Sequence, residues 1–154
     1  MKRTIIILAL ILFMGCSATS NLCTVPEANN SVVCDLSAKL HITPEMISQS
    51  LLIANFGALE VDLYTAQQAD KFVNNLIGQI EKFKASGNTY TYAQAISFIN
   101  SQYNLLPKKI QAVFVIIDPA GLASQNITLP LTNYDFDLFL RHLNKQKQII
   151  SIYL

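Results

Sequence analysis

Apolar positions recur along most of this chain with a helical period, and the polar positions between them carry helix start and stop signals. The clearest stretch follows Thr65. Ala69, Phe72, Val73, Leu76, Ile77, Ile80 and Phe83 fall three or four positions apart, which places them on one face of an α-helix. Thr65-Ala66-Gln67-Gln68 opens that helix as a capping box, and Ser86-Gly87-Asn88 closes it. A second capping box, Thr91-Tyr92-Ala93-Gln94, leads into a face of Tyr92, Ala95, Ile96, Ile99 and Tyr103. Before these, Val33, Leu36 and Leu40 form a short apolar face interrupted by Ser37. Thr43 and Pro44 then supply an N-cap and a first helical residue. The helix they open is read with Ile47, Leu51, Ala54 and Ala58 inward, widened by Leu52, Phe56 and Leu59. Gly57 inside it is expected to mark a bend or a close helix contact. Thr132 caps a last helix whose buried face is Phe136, Phe139, Leu140, Leu143 and Ile150. Asp135 and Asp137 lie near the positive end of its dipole, and Arg141, Lys145 and Lys147 toward the negative end.

One segment resists this reading. Ile110 to Ile117 is apolar on almost every side and rich in β-branched residues, so it suits a buried strand or a buried helix opened by Pro107. Helix agrees with the rest of the pattern. The expected fold is therefore all-α, a single domain of five or six packed helices. The alternative is α+β, with a minor two-stranded element from 110–117 and 149–154. Asp118-Pro119-Ala120-Gly121 reads as a turn.

The N-terminus has a different pattern. Lys2 and Arg3 precede ten uninterrupted apolar residues, Ile5 to Met14, followed by Gly15, Cys16, Ser17 and Ala18. A basic start, a short apolar run and small residues form the layout of a secretory signal. The run is shorter than the roughly 20 residues of a membrane span. Phe13-Met14-Gly15-Cys16 resembles the lipobox of bacterial lipoproteins, with Phe13 where Leu is usual and Met14 where a small residue is usual. The resemblance covers this segment alone, and no family is recognised for the mature domain. It implies that 1–15 is a signal peptide removed before Cys16, and that Cys16 carries a diacylglyceryl group with a further acyl chain (palmitate is typical) on its amino group. Two or more chains anchor stably, at about 0.8 kcal/mol per buried methylene. Ser17, rather than Asp, after the cysteine points by the same resemblance to the outer membrane, facing the periplasm. The competing expectation is a secreted soluble protein cut after Ala18. Residues 16–30 then read as a polar, lipidated tether and 31–154 as the helical domain.

Composition narrows the function classes. Charged residues are 14% of the chain, against an average near ~25%. Loss of Lys2 and Arg3 leaves the mature chain close to neutral, without the clustered cations that hold nucleic acid. Of three cysteines, Cys16 is assigned to the lipid; Cys23 and Cys34 remain as an even pair in an oxidising compartment and are expected to form a disulfide. Two free thiols are the alternative.

Sites of catalysis are hard to find. His41 and His142 are the two histidines, with no paired spacing for zinc. His41 is read as a helix C-cap. His142 lies too far from Asp135, and off the face of Asp137, for a direct contact. Asp118 reads as a turn former, and the carboxylates of Glu60 and Asp62 as part of a solvated loop. Tyr64, Tyr90, Tyr92 and Tyr103 read as the rim of the core. No catalytic, cofactor or metal residue is expected, and the protein is not expected to be an enzyme. The expected role is that of an envelope lipoprotein with a non-catalytic interaction or structural function. Its partners are the membrane, through the lipid, and a protein in the envelope, without nucleic acid. Two alternatives are an accessory or assembly lipoprotein that takes a partner peptide in a helix-lined groove, and an enzyme whose site is unrecognised.

Overall fold

A computed structural model describes residues 21–41, 43–111 and 127–154. Residues 1–15, read as a signal peptide, Cys16, and the turn expected at Asp118 lie outside those residues. Among the described residues, two single-turn 3-10 helices, Asn21–Cys23 and Pro26–Ala28, lead into the α-helices α1 (Val32–Leu40), α2 (Pro44–Glu60), α3 (Ala66–Ala85), α4 (Tyr92–Tyr103) and α5 (Asn133–Ile150). The all-α reading is correct. The two-stranded alternative is not, because the last helix runs to Ile150 and the chain then leaves it through a turn at Ser151 and Ile152. Residues 108–111 are helical, as the Pro107 start implies, and 112–117 lie outside the described residues.

The caps form where their chemistry calls for them. The side chains of Thr43, Thr65, Thr91 and Thr132 each accept a hydrogen bond from a backbone N–H in the first helical turn. At Thr65 and Thr91, Gln68 and Gln94 return the bond to the cap's own N–H, which completes both capping boxes. The start of α4 has additional partners. Tyr92 and Ala93 donate backbone N–H bonds to Leu129 and Ile127, so an extended segment before α5 satisfies two donors that a helix leaves unpaired.

Helices α3 and α5 form the most extensive pairing, antiparallel, with Lys84 near the end of α3 bonded to Asp137 near the start of α5. Between them lies the main core: Ala69, Val73, Leu76 and Ile80 meet Phe136, Leu143 and Ile150, with Tyr92, Ala95 and Ile110 from elsewhere in the chain. Each of these α3 and α5 residues belongs to the face that the period predicted. A smaller cluster of Ala28, Cys34 and Leu138 packs beneath the first turns. Tyr64 and Tyr92 are buried in the main core rather than on its rim.

Helix α2 departs from expectation. Ser48 and Asn55 are buried, while Phe56 is 39% exposed. Apolar residues are spread around this helix, so hydrophobicity alone selects no face. Its rotation is set instead by polar contacts with α5. At Gly57 an added Cβ would meet nothing within 4 Å, so this glycine marks no close helix contact.

Among the described residues, Asp135 is a heavily bonded buried side chain, with no exposed surface. Its carboxylate accepts from Ser31 Oγ at 2.5 Å, from the backbone N–H groups of Val32 and Val33 at 3.2 and 3.1 Å, and from Thr132 N and Oγ1 at 2.8 and 2.9 Å. It thus closes two helix N-termini at once, its own and that of α1. Replacing Asp135 by Ala strips a partner from each of these donors. Asp135→Ala is expected to lower the unfolding free energy by about 3–5 kcal/mol. Urea denaturation followed by circular dichroism measures this, and a loss under about 1 kcal/mol contradicts the assignment.

Candidate functional site

Where α2 crosses α5, four polar side chains form a ladder, with Ser48, Asn55 and Gln146 buried and His142 half-buried. His142 Nδ1 lies 2.8 Å from Ser48 Oγ, and His142 Nε2 lies 3.4 Å from Gln146 Nε2. Asn55 Nδ2 donates to Gln146 Oε1 at 2.7 Å. Spacing explains the alignment: Ser48 and Asn55 are two turns apart on α2, and His142 and Gln146 are one turn apart on α5, so each pair shares a face. Among the described residues, Asn55 Oδ1 finds no hydrogen-bond partner.

The direction of these bonds determines the chemistry. Gln146 Nε2 can only donate, so His142 Nε2 accepts and the ring proton sits on Nδ1, facing Ser48. In this tautomer the imidazole gives Ser48 a proton rather than taking one. It therefore does not activate the hydroxyl as a general base would, despite the close Ser–His pairing. Burial holds the imidazole neutral and pushes its pKa down to about 4, and Lys145 adds to the fall. A protonated ring would turn an N–H toward the amide N–H of Gln146, two donors facing each other. The ladder sets the register between α2 and α5.

The cysteines expected to pair do so. Cys23 and Cys34 have sulfurs 2.05 Å apart and Cα atoms 5.6 Å apart. The bridge joins the first turn of the described chain to α1. Leu22 adds two bonds beside it: its N–H donates to Glu45 Oε1 at 3.1 Å and its carbonyl accepts from the Tyr134 hydroxyl. The polar segment read as a tether is thus held to the domain from Asn21 onward.

Other candidates are placed apart from one another. His41 is the exposed C-cap of α1, in the left-handed region at φ 54°. Glu60 ends α2 and accepts from the Tyr153 hydroxyl at 2.6 Å, while Asp62 follows in an exposed turn. Desolvation, then the Glu60 carboxylate, pushes the Tyr153 phenol up to about 12. Between α3 and α4 lies a shallow open groove of about 290 Å³, lined by Asn74, Asn75, Gln79 and Gln102 with Lys82 and Phe98. Among the described residues, no three His, Cys, Asp or Glu side chains cluster as metal ligands do.

In the sequence His142 was set against Asp135 and Asp137 alone, and Ser48, Asn55 and Gln146 were missed. The available signal was Ser48 and Asn55, two polar residues seven apart and so on one face of α2. Comparison with protein-family models, with curated proteins and with solved structures finds no match.

Two outcomes are expected from this geometry. His142 ordinarily titrates near 6.5 and in the fold near 4, so between those values the unfolded chain binds the extra proton. Its contribution is fully present above about pH 6.5 and is lost as the pH falls toward about 4, at up to about 1.4 kcal/mol per unit. Denaturation series over that range should show this fall, and His142→Gln should flatten it. Equal slopes in the two proteins contradict a buried neutral ring. Separately, reducing the Cys23–Cys34 bridge, or making the double Ser variant, should cost about 3 kcal/mol for a loop of this length. Equilibrium unfolding with and without reductant measures it.

Proposed function

We propose that this protein is a bacterial envelope lipoprotein, cut before Cys16 and held to a membrane by acyl chains on that residue, with a non-catalytic interaction role. The observation that carries the anchor is the N-terminal pattern: Lys2 and Arg3, the apolar run from Ile5 to Met14, then Gly15 and Cys16. An oxidising location agrees with the bonded Cys23 and Cys34. The absence of Asp after Cys16 favours the outer membrane over the inner.

An interaction role is supported by the end of the domain where α2 and α5 finish. Phe56, Val61, Ile152 and Leu154 are exposed there, between 39% and 74%. The Phe56 and Tyr153 rings meet edge-on at 6.1 Å, which holds these side chains in one neighbourhood. An amide-lined groove between α3 and α4 fits a polar contact better than an apolar peptide helix, so the interaction reading stands ahead of a peptide-binding accessory.

Mass spectrometry of the full chain expressed in a bacterial host tests the anchor. The N-terminal peptide should begin at Cys16 with acyl chains attached, and the protein should sediment with membranes. Cys16→Ala should release it. An unmodified soluble protein beginning after Ala18 overturns the proposal.

A further inference from the structure

The described fold is joined to its N-terminal segment at one end only. Leu22 bonds to Glu45 at the start of α2 and to Tyr134 at the start of α5, and Cys23 is bridged to α1 beside them. Helices α2 and α5 run in the same direction. Leu22 touches both at their beginnings, His142 and Gln146 meet Ser48 and Asn55 further along, and Tyr153 meets Phe56 and Glu60 at their ends. Val61, Ile152 and Leu154 are therefore separated from Leu22 by about the length of α2, 17 residues or roughly 25 Å, with Phe56 about one turn nearer. Six residue steps separate Cys16 from Leu22, so that segment reaches at most about 20 Å.

We propose that the domain stands on the membrane with the start of α2, the start of α5 and the Cys23–Cys34 bridge toward the lipid headgroups, and with its apolar end displayed on the far side. This rests on the lipid anchor at Cys16. A connection shorter than the domain is long excludes the inverted orientation, in which the apolar end meets the headgroups and Leu22 lies roughly 25 Å from them. The apolar side chains then face the space beyond the membrane, where an envelope protein can reach them.

The chain has no tryptophan, so a single introduced indole is an unambiguous probe. Val25 and Glu27 are exposed near the bridge, and Ile152 and Leu154 at the opposite end. The lipidated full chain carrying Val25→Trp or Ile152→Trp is reconstituted into phosphatidylcholine vesicles with dansyl-labelled headgroups. Flotation and Trp-to-dansyl energy transfer are then measured. Glu27→Trp and Leu154→Trp serve as a second pair if either first variant fails to fold. Both proteins should float with the vesicles, and transfer from the bridged end should be several-fold more efficient. Flotation with equal or reversed transfer overturns the orientation while leaving the anchor intact. Failure of the lipidated chain to float overturns the anchor, and the orientation with it.

Discussion

Two helix N-termini converge on one buried carboxylate at one end of this fold. A helix start leaves backbone N–H groups unpaired and carries partial positive charge. Helices α1 and α5 both begin beside Asp135, which accepts from the first N–H groups of one and from the cap residue of the other. Ser31 joins them, donating to Asp135 while accepting from Cys34 N to cap α1. Among the described residues no cation is bonded to Asp135; backbone N–H groups and hydroxyls bond it instead. Such a site tolerates little displacement, because each donor that loses the carboxylate is left buried without a partner. That constraint ties residues more than 100 positions apart, and the disulfide and the Leu22 bonds reinforce the same end.

The two neighbours of α5 are held by different physics. Against α3 it packs by apolar interdigitation, with both helices presenting the face their periods specify. Against α2 the contact is a polar ladder. The ladder selects one rotation of a helix whose hydrophobicity is nearly the same all round, and it does so by the directionality of hydrogen bonds. The consequence is an exposed Phe56, which a purely apolar choice of face would have buried. Polar specificity at one interface thus leaves apolar surface available elsewhere.

The molecule is consequently polar along its long helices. One end is braced by the disulfide, the Asp135 network and the Leu22 bonds. The other carries Phe56, Val61, Ile152 and Leu154 with the terminal turn. In the proposed lipoprotein, covalent bracing lies where the tether pulls, and the apolar surface lies where a partner can approach.

Local chemistry decided much of this protein before any tertiary contact. Thr43, Thr65, Thr91 and Thr132 set four helix starts, because a hydroxyl three residues before a free N–H needs only local geometry. The apolar periods of α3 and α5 chose their buried faces for the same reason: burial follows from which side of a helix is apolar. The cysteine pair was legible from its count and from the oxidising compartment that the N-terminal pattern implies. Asp135 was read only as a charge near the positive end of its helix dipole, since its bonds to Ser31, Val32 and Val33 come from the other end of the chain. His142 looked solitary because Ser48 is 94 positions away. The rotation of α2, the neutral buried imidazole and the junction of two helix N-termini were decided only by tertiary structure, because hydrogen bonds between distant segments leave no periodic trace in either segment alone.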